Sequence, residues 1–534
     1  MSRLILIGIL LIINCKIFSQ NYTLIYFPNK KGTKYDISDP LSFLSQRSVD
    51  RRLKNNILID STDLPVSETY LELLKNKHID IQYVSKWLNA VVTTSNVDSI
   101  SKYFDTKTVK STKAINRTNP TKKNLETISD YHSNQRISNS FYGTSFIQLN
   151  MMNVDSLHSE GITGKNILIA VLDEGFFKLN ELKAFKHLMD SSKILDTYNF
   201  VDKNTNVYDD GEHGTSVMST MAAYLPNKLI GACYNSKFLL YNTENSSSES
   251  PLEEVLYVLA AERADSVGAD ICTASLSYQD FDNSNLNYRY SDMNGQTTIA
   301  SVAIKNLSRK GVIALNSAGN SGNSSKFKYI GTPADADSML AVGAVNLNFE
   351  KTDFSSIGPS FDNRTKPDVS ALGENVTLVN IYNDGEVSYS SGTSFSCPLV
   401  AGFTACMKQK FPDKSSQELI NYIKQISSNS VLPNNLIGYG VPYYGQRSER
   451  NDYTLDIYTS TINNSIHIFN KNIINISPVN ISLYDMTGKK VLELYNQNIN
   501  KEVTEISISN LSKSIYFLCI HNSIINIKER IFNR

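Results

Sequence analysis

Four short segments hold residue types that together can run acyl transfer: Val171-Leu172-Asp173-Glu174-Gly175, Glu212-His213-Gly214-Thr215, Ser317-Ala318-Gly319-Asn320, and Gly392-Thr393-Ser394 continuing to Pro398. A serine hydroxyl is a weak nucleophile until a neighbouring base takes its proton. His213 is the candidate base, since a neutral imidazole works near physiological pH. Asp173 is the candidate orienter, because a buried carboxylate fixes the imidazole tautomer and stabilises the imidazolium that forms. The tetrahedral intermediate carries an oxyanion, and a side-chain amide aimed at it stabilises that charge. Asn320 is the candidate amide donor, together with the Ser394 N–H. The chemistry is hydrolysis through an acyl-enzyme, with orienter, base and nucleophile in the chain order Asp, His, Ser.

These groups are far apart in sequence, so elements must bring them together. Ile167 to Leu172 is a continuous apolar run, as expected for a strand buried on both faces of a parallel sheet. Asp173 then sits at its carboxyl end, the edge where open α/β sheets bind ligands. His213 and Ser394 each precede a stretch of helical character, Val217 to Tyr224 and Pro398 to Lys410, after a Gly or Gly-Thr that permits a tight turn. Their side chains are expected at helix N-termini, where unsatisfied N–H groups and the helix dipole favour negative charge. Asn320 follows an apolar strand, Val312 to Leu315.

The motifs resemble those of a subtilisin-like serine protease, a subtilase, over about residues 145 to 445. Framework segments agree in order: Gly331-Thr332-Pro333-Ala334-Asp335-Ala336, Ala341 to Ala344, Phe354 to Pro359 and Lys366-Pro367-Asp368-Val369. The resemblance implies an α/β fold with a three-layer catalytic domain around a parallel sheet, and a secreted endopeptidase acting on protein or peptide substrates. It also implies a substrate cleft walled by Ser275, Leu276 and Ser277 on one side and by Ser317, Ala318 and Gly319 on the other. Two positions depart from the family pattern. Ser277 stands where the family has Gly, and its added hydroxymethyl narrows or redirects the primary specificity pocket. Glu174 stands where a small hydroxyl residue is usual: facing Asp173 it would raise the carboxylate pKa values, and facing solvent it would change nothing. The alternative reading is a catalytically silent subtilase serving as a surface or binding protein, against which the intact quartet argues. His158, in Leu157-His158-Ser159, reads as a helix-end residue and receives no role.

The flanks read as separate units. Residues 1–20 have the layout of a signal peptide: Arg3, the apolar run Leu4 to Ile13, and a small-residue cleavage position at Ser19. Cys15 leaves a lipoprotein signal open, although Asn14 is a poor fit to that pattern. Residues 21–106 are expected to form a small α+β propeptide, with strands Asn21 to Phe27 and Val84 to Thr94, the latter containing Trp87, and a helix Pro65 to Asn76. This region resembles the amino-terminal segment of secreted bacterial subtilases through Phe43 to Ser48 and Lys86 to Asn89, which implies that it templates folding and blocks the cleft. An ordinary binding domain that stays attached is the alternative. Residues 107–144 are polar and basic, with Lys110, Lys113, Arg117, Lys122 and Lys123, and read as an exposed linker holding the processing site.

The catalytic unit is expected over 145–446 and a small β-sandwich over 447–534, from period-two segments at Ser465 to Phe469, Ile481 to Tyr484, Ile506 to Ile508 and Ile515 to Ile520, with a turn at Asp485 to Gly488. Tyr484 to Val491 and Ile515 to Arg534 resemble a carboxyl-terminal sorting domain of the type IX secretion system, which implies that machinery as a partner. Tyr458 to Thr461 and Ser514 depart from that family's pattern, and a substrate-binding or stabilising β module is the alternative.

Composition agrees with an exported globular chain. The 534 residues are 41% hydrophobic, and 52 basic side chains balance 52 acidic ones, so no nucleic acid or other polyanion is called for. No segment after the first twenty residues reaches the length of a membrane helix. Six cysteines become five once Cys15 leaves with the signal; none has metal-ligand spacing, and they read as small core residues. The reaction requires no cofactor. Structural calcium stays open, with Asp209-Asp210 and the loop Asp280 to Asp292 as acidic candidates. Sequence does not separate nutrient degradation from the processing of particular surface proteins.

Overall fold

A computed structural model describes residues 21–115, 139–445, 455–460, 465–470, 478–499, 504–522 and 526–533. The expected signal peptide and residues 116–138 of the linker lie outside the described residues.

In the amino-terminal unit, strands β1 (Thr23–Tyr26), β2 (Tyr83–Ser85), β3 (Ala90–Thr93) and β4 (Ser111–Ala114) form an antiparallel sheet in the order β2-β3-β1-β4, with helices α1 (Gln46–Lys54) and α2 (Glu68–Asn76). The expected single strand Val84 to Thr94 is a hairpin instead. Trp87 lies in its turn, where Asn89 takes the left-handed backbone (φ 49°) and breaks the run that the apolar residues suggested.

The catalytic segment is built on parallel strands β5 (Leu168–Asp173), β6 (Ile194–Asn199), β7 (Lys237–Asn242), β8 (Ile271–Ala274), β9 (Ile313–Ser317), β10 (Leu340–Val345) and β11 (Val369–Leu372). Their order is β11-β10-β9-β8-β5-β7-β6. Successive strand residues face opposite sides, and β5 uses both: Ile169 and Val171 join one core cluster, Leu168, Ala170 and Leu172 the other. That two-sided burial is why its sequence is continuously apolar. Helices α3 (Glu212–Ala222) and α6 (Thr393–Lys410) supply Met218, Met221, Leu399 and Phe403 to the first cluster. Helices α4 (Pro251–Val267) and α5 (Ile299–Arg309) supply Val255, Leu256, Ala303 and Ile304 to the second. The result is three layers, as the sequence implied. Both catalytic-segment helices expected from periodicity start five residues earlier than expected, at Glu212 and Thr393, because the glycines before them act as N-caps.

The second cluster does not stop at the catalytic segment. Leu24 of β1 and Ala90 and Val92 of β3 belong to it, while Ile25 and Val91, on the opposite face, pack with Tyr70 and Leu74 of α2 in a small core of their own. Polar contacts reinforce this docking. The Glu262 carboxylate on α4 accepts from Ser85 Oγ (2.5 Å), Lys86 N–H (3.1 Å) and Trp87 N–H (3.0 Å). Asp265 pairs with Arg51 and, at 2.8 Å, with Arg52, whose guanidinium also reaches Asp63 at 2.7 Å. Lys310, just beyond α5, closes the network on Asp63 at 2.9 Å.

The carboxyl-terminal segment forms two antiparallel sheets, one of three strands and one of four, which share a core including Ile466, Ile481, Leu518 and Ile520. The turn at Asp485 to Gly488 closes with a Gly488 N–H bond to Asp485 O (3.0 Å). Cys233, Cys272, Cys397 and Cys406 are free and buried, and burial pushes the thiols of Cys233, Cys272 and Cys397 up to about 12. Among the described residues no helix is long and apolar enough to cross a membrane.

Candidate active site

Asp173 ends β5 with no exposed surface, and its Oδ1 accepts from His213 Nδ1 at 2.8 Å and from the Glu174 N–H at 2.9 Å. His213 is the second residue of α3. The loop after β5 meets the loop before α3 at Gly175 (φ 131°) and Gly211 (φ 83°), where a Cβ on either residue would overlap the other loop's backbone. These two glycines let Asp173 and His213 approach. Glu174 is half-buried, with its Oε1 3.4 Å from the His213 N–H at the start of α3, a contact not foreseen from sequence. Asp173 Oδ2 has no hydrogen-bond partner among the described residues.

Ser394 is the second residue of α6 and 5% exposed, and the adjacent Phe395 ring lies 5.9 Å from the His213 ring. Pro398 sits four residues later inside the helix, so it cannot donate to the Ser394 carbonyl. Ser275 Oγ, just past β8, donates to that oxygen instead at 2.8 Å. Ser275 thus lines the cleft, as foreseen, while its hydroxyl serves the Ser394 backbone. Thr393 donates from N–H (3.0 Å) and Oγ1 (2.9 Å) to Asn320 Oδ1, so the amide's Nδ2 end is the one turned away from Thr393. Gly319 N–H in turn donates to Thr393 Oγ1 at 3.2 Å. The contacts of Thr393 were not foreseen; its place beside Ser394 in the Gly-Thr-Ser motif was the available signal.

These residues share one cleft of about 730 Å³ lined by Asp173, His213, Ser394 and Asn320 and by Ser275, Leu276, Ser277, Ser317 and Gly319. Ala318 is absent from that lining, its side chain being fully buried in the second core cluster. Ser277 Oγ fills the space between Gly319 and Gly331, so that a Cβ at Gly331 would overlap it. His158 is structural in its contacts: its ring nitrogens lie 2.9 Å from Ala232 O and 3.2 Å from Tyr142 OH, and burial pushes its pKa down to about 4.

The acidic loops do not gather carboxylates around a common point. Asp209 accepts from Asn206 Nδ2, Asp280 from Asn287 Nδ2, and Asp292 from the Arg289 N–H. Among the described residues the one acidic trio within 4.8 Å is Glu244, Glu249 and Glu253, and there Tyr278 OH donates to Glu244 while the Asn245 and Ser250 N–H groups donate to Glu253.

Comparison with known proteins finds three family models in succession. Residues 164–440 match the Subtilase family, residues 22–129 the Peptidase S8 propeptide domain of Bacteroidota, and residues 457–533 the Secretion system C-terminal sorting domain. Subtilisin DY of Bacillus licheniformis is 26% identical over 52% of this chain and 90% of its own. A subtilisin of Bacillus pumilus is 29% identical over 51% of this chain and 85% of its own. Subtilisin E of Bacillus subtilis (strain 168) is 28% identical over 56% of this chain and 68% of its own.

Proposed function

Because this chain belongs to the subtilase family and is a subtilisin-like serine peptidase, sent out of the cell or to its surface by a sorting domain, we infer that it is an endopeptidase with Asp173, His213 and Ser394 as its triad. The observation that carries the reading is the hydrogen-bonded Asp173–His213 pair in the same cleft as Ser394 and Asn320. Ser394 Oγ attacks the scissile carbonyl carbon while His213 Nε2 takes its proton. Asp173 stabilises the imidazolium through Nδ1–H. The carbonyl oxygen becomes an oxyanion received by Asn320 Nδ2 and by the Ser394 N–H, a first-turn amide aligned with the α6 dipole. His213 then protonates the departing amine, leaving an ester on Ser394 that water, deprotonated by His213, hydrolyses.

The units follow the same reading: residues 1–20 the signal peptide, 21–106 an inhibitory and templating propeptide, 107–144 the linker cut on maturation, 145–446 the enzyme, and 447–534 the sorting domain, whose partner is the type IX secretion machinery. Docking of the amino-terminal sheet on α4 supports the propeptide role. The chemistry uses side chains and backbone amides throughout. Acidic loops whose carboxylates are taken by amide and hydroxyl donors support no particular calcium site.

Covalent labelling with a fluorophosphonate probe, read by intact mass and peptide mapping, tests the reading. The processed protein is expected to take one label, on Ser394, and Ser394→Ala to take none. An unlabelled processed protein would favour a silent binding role.

A further inference from the structure

The cleft is charged at one end only. Among the described residues that line it, five carboxylates stand besides Asp173, those of Glu174, Asp210, Glu212, Glu244 and Glu249, and there is no lysine or arginine. In a chain with equal numbers of acidic and basic residues, that lining is a local excess. The carboxylates come from the ends of β5 and β7, neighbours in the sheet, and from the turn into α3. The opposite end, after β8 and β9, where Ser277 and Asn320 sit, carries no charged side chain among the described lining residues. Glu244 and Glu249 carboxylate oxygens approach within 4.8 Å, like charges whose repulsion an entering cation would relieve. Ser216, on α3 one turn past His213, lines the cleft with its Oγ buried and without a hydrogen-bond partner among the described residues.

We propose that this cleft selects extended polypeptide segments carrying a lysine or arginine side chain close to the scissile bond, held at the β5–β7 end and not in the narrowed space beside Ser277. The inference rests on the peptidase reading and adds the substrate class. The catalytic geometry defines the site, and the carboxylates define what it prefers. A cleft lined by one sign of charge with apolar walls focuses its field and draws in the opposite charge. The buried Ser216 hydroxyl and the half-buried carboxylates supply acceptors for an ammonium or guanidinium group. The chain carries a segment of this chemistry itself: residues 107–144 hold seven basic side chains, from Lys107 to Arg136, against two acidic ones, Glu126 and Asp130.

The test uses enzyme matured from the full chain and a set of internally quenched peptides in which a single lysine is walked along an otherwise neutral sequence, each paired with its glutamine counterpart. At low salt kcat/KM is expected to be at least about tenfold higher for lysine at one or more positions, with the advantage shrinking at about 0.5 M salt. Glu249→Gln and the exposed Asp210→Asn are each expected to lower the lysine-to-glutamine ratio, so that one misfolded variant does not decide the matter. Equal rates for lysine and glutamine peptides at every position, with Ser394-dependent hydrolysis intact, would overturn the preference alone. Absence of any Ser394-dependent hydrolysis would remove the peptidase reading and the preference with it.

Discussion

Pro398 leaves the Ser394 carbonyl without its helical donor, and Ser275 supplies one. An unsatisfied buried carbonyl costs about 1–3 kcal/mol. Ser275→Ala is therefore expected to lower the melting temperature and to slow fluorophosphonate labelling of Ser394, whereas Ser275→Thr, which keeps the hydroxyl, restores both. A wall residue that only touched substrate would change KM and leave labelling by a small probe intact. Asp173, His213, Ser394 and Asn320, which the fold brings to one cleft, could be picked out in the sequence because their residue types and immediate neighbours suit the proposed chemistry. The use of Ser275 was not, since it depends on a strand end meeting a helix 119 positions away. Glu174 escaped for a similar reason: the strand alternation that suggested its direction stops where β5 ends, and the turn at Gly175 carries the carboxylate to the start of α3.

At the scale of elements, continuous apolar runs in the catalytic segment and period-two patterns in the carboxyl-terminal one told most of the story. The alternate residues of β5 feed two cores, and the short strands β1 and β3 do the same, one face to α2 and one to α4. The turn through Trp87 was hidden because its residues are as apolar as a strand; what makes it a turn is Glu262, distant in sequence, receiving its N–H groups. The ion network beside it makes the docking of the amino-terminal unit sensitive to pH. Burial opposes the charge on Asp265, but Arg51 and Arg52 outweigh it and hold the carboxyl below the usual carboxylate range. A carboxyl depressed in the docked state stabilises docking above its undocked pKa of about 3.9, and loses that contribution as pH falls through the docked value. Asp265→Asn leaves two buried arginines short of a partner, a loss of about 3–5 kcal/mol. Inhibition of the mature enzyme by added residues 21–115 should accordingly weaken by at least about a hundredfold in this variant, and titration of Asp265 should weaken the unaltered pair only below about pH 4.

Across the whole molecule, acid and base balance in number but not in place. Glu254 shows how one buried carboxyl can mark the entire fold's response to pH. It accepts from Tyr288 OH at 2.7 Å and from the Ala300 N–H at the start of α5 at 3.1 Å, and burial pushes its pKa from 4.5 up to about 7. A carboxyl raised on folding contributes stability below its unfolded pKa, and that contribution is lost as pH rises through the folded value. The difference in melting temperature between the parent and Glu254→Gln is thus expected to move in the variant's favour between about pH 4.5 and about pH 7 and to level off above that; a difference that stays constant across this range would refute the shift. The three-part organisation was visible in composition and periodicity, whereas the continuity of the core from Leu24 and Val92 into α4 was not, because it exists only once the two units dock. That continuity bears on how such a gene can be rearranged. A crossover in the joining segment would look harmless on paper, yet a chimera pairing this enzyme with a relative's amino-terminal unit would set foreign side chains against Glu262 and Asp265 and into the shared core, so the two halves are expected to be inherited as a matched set.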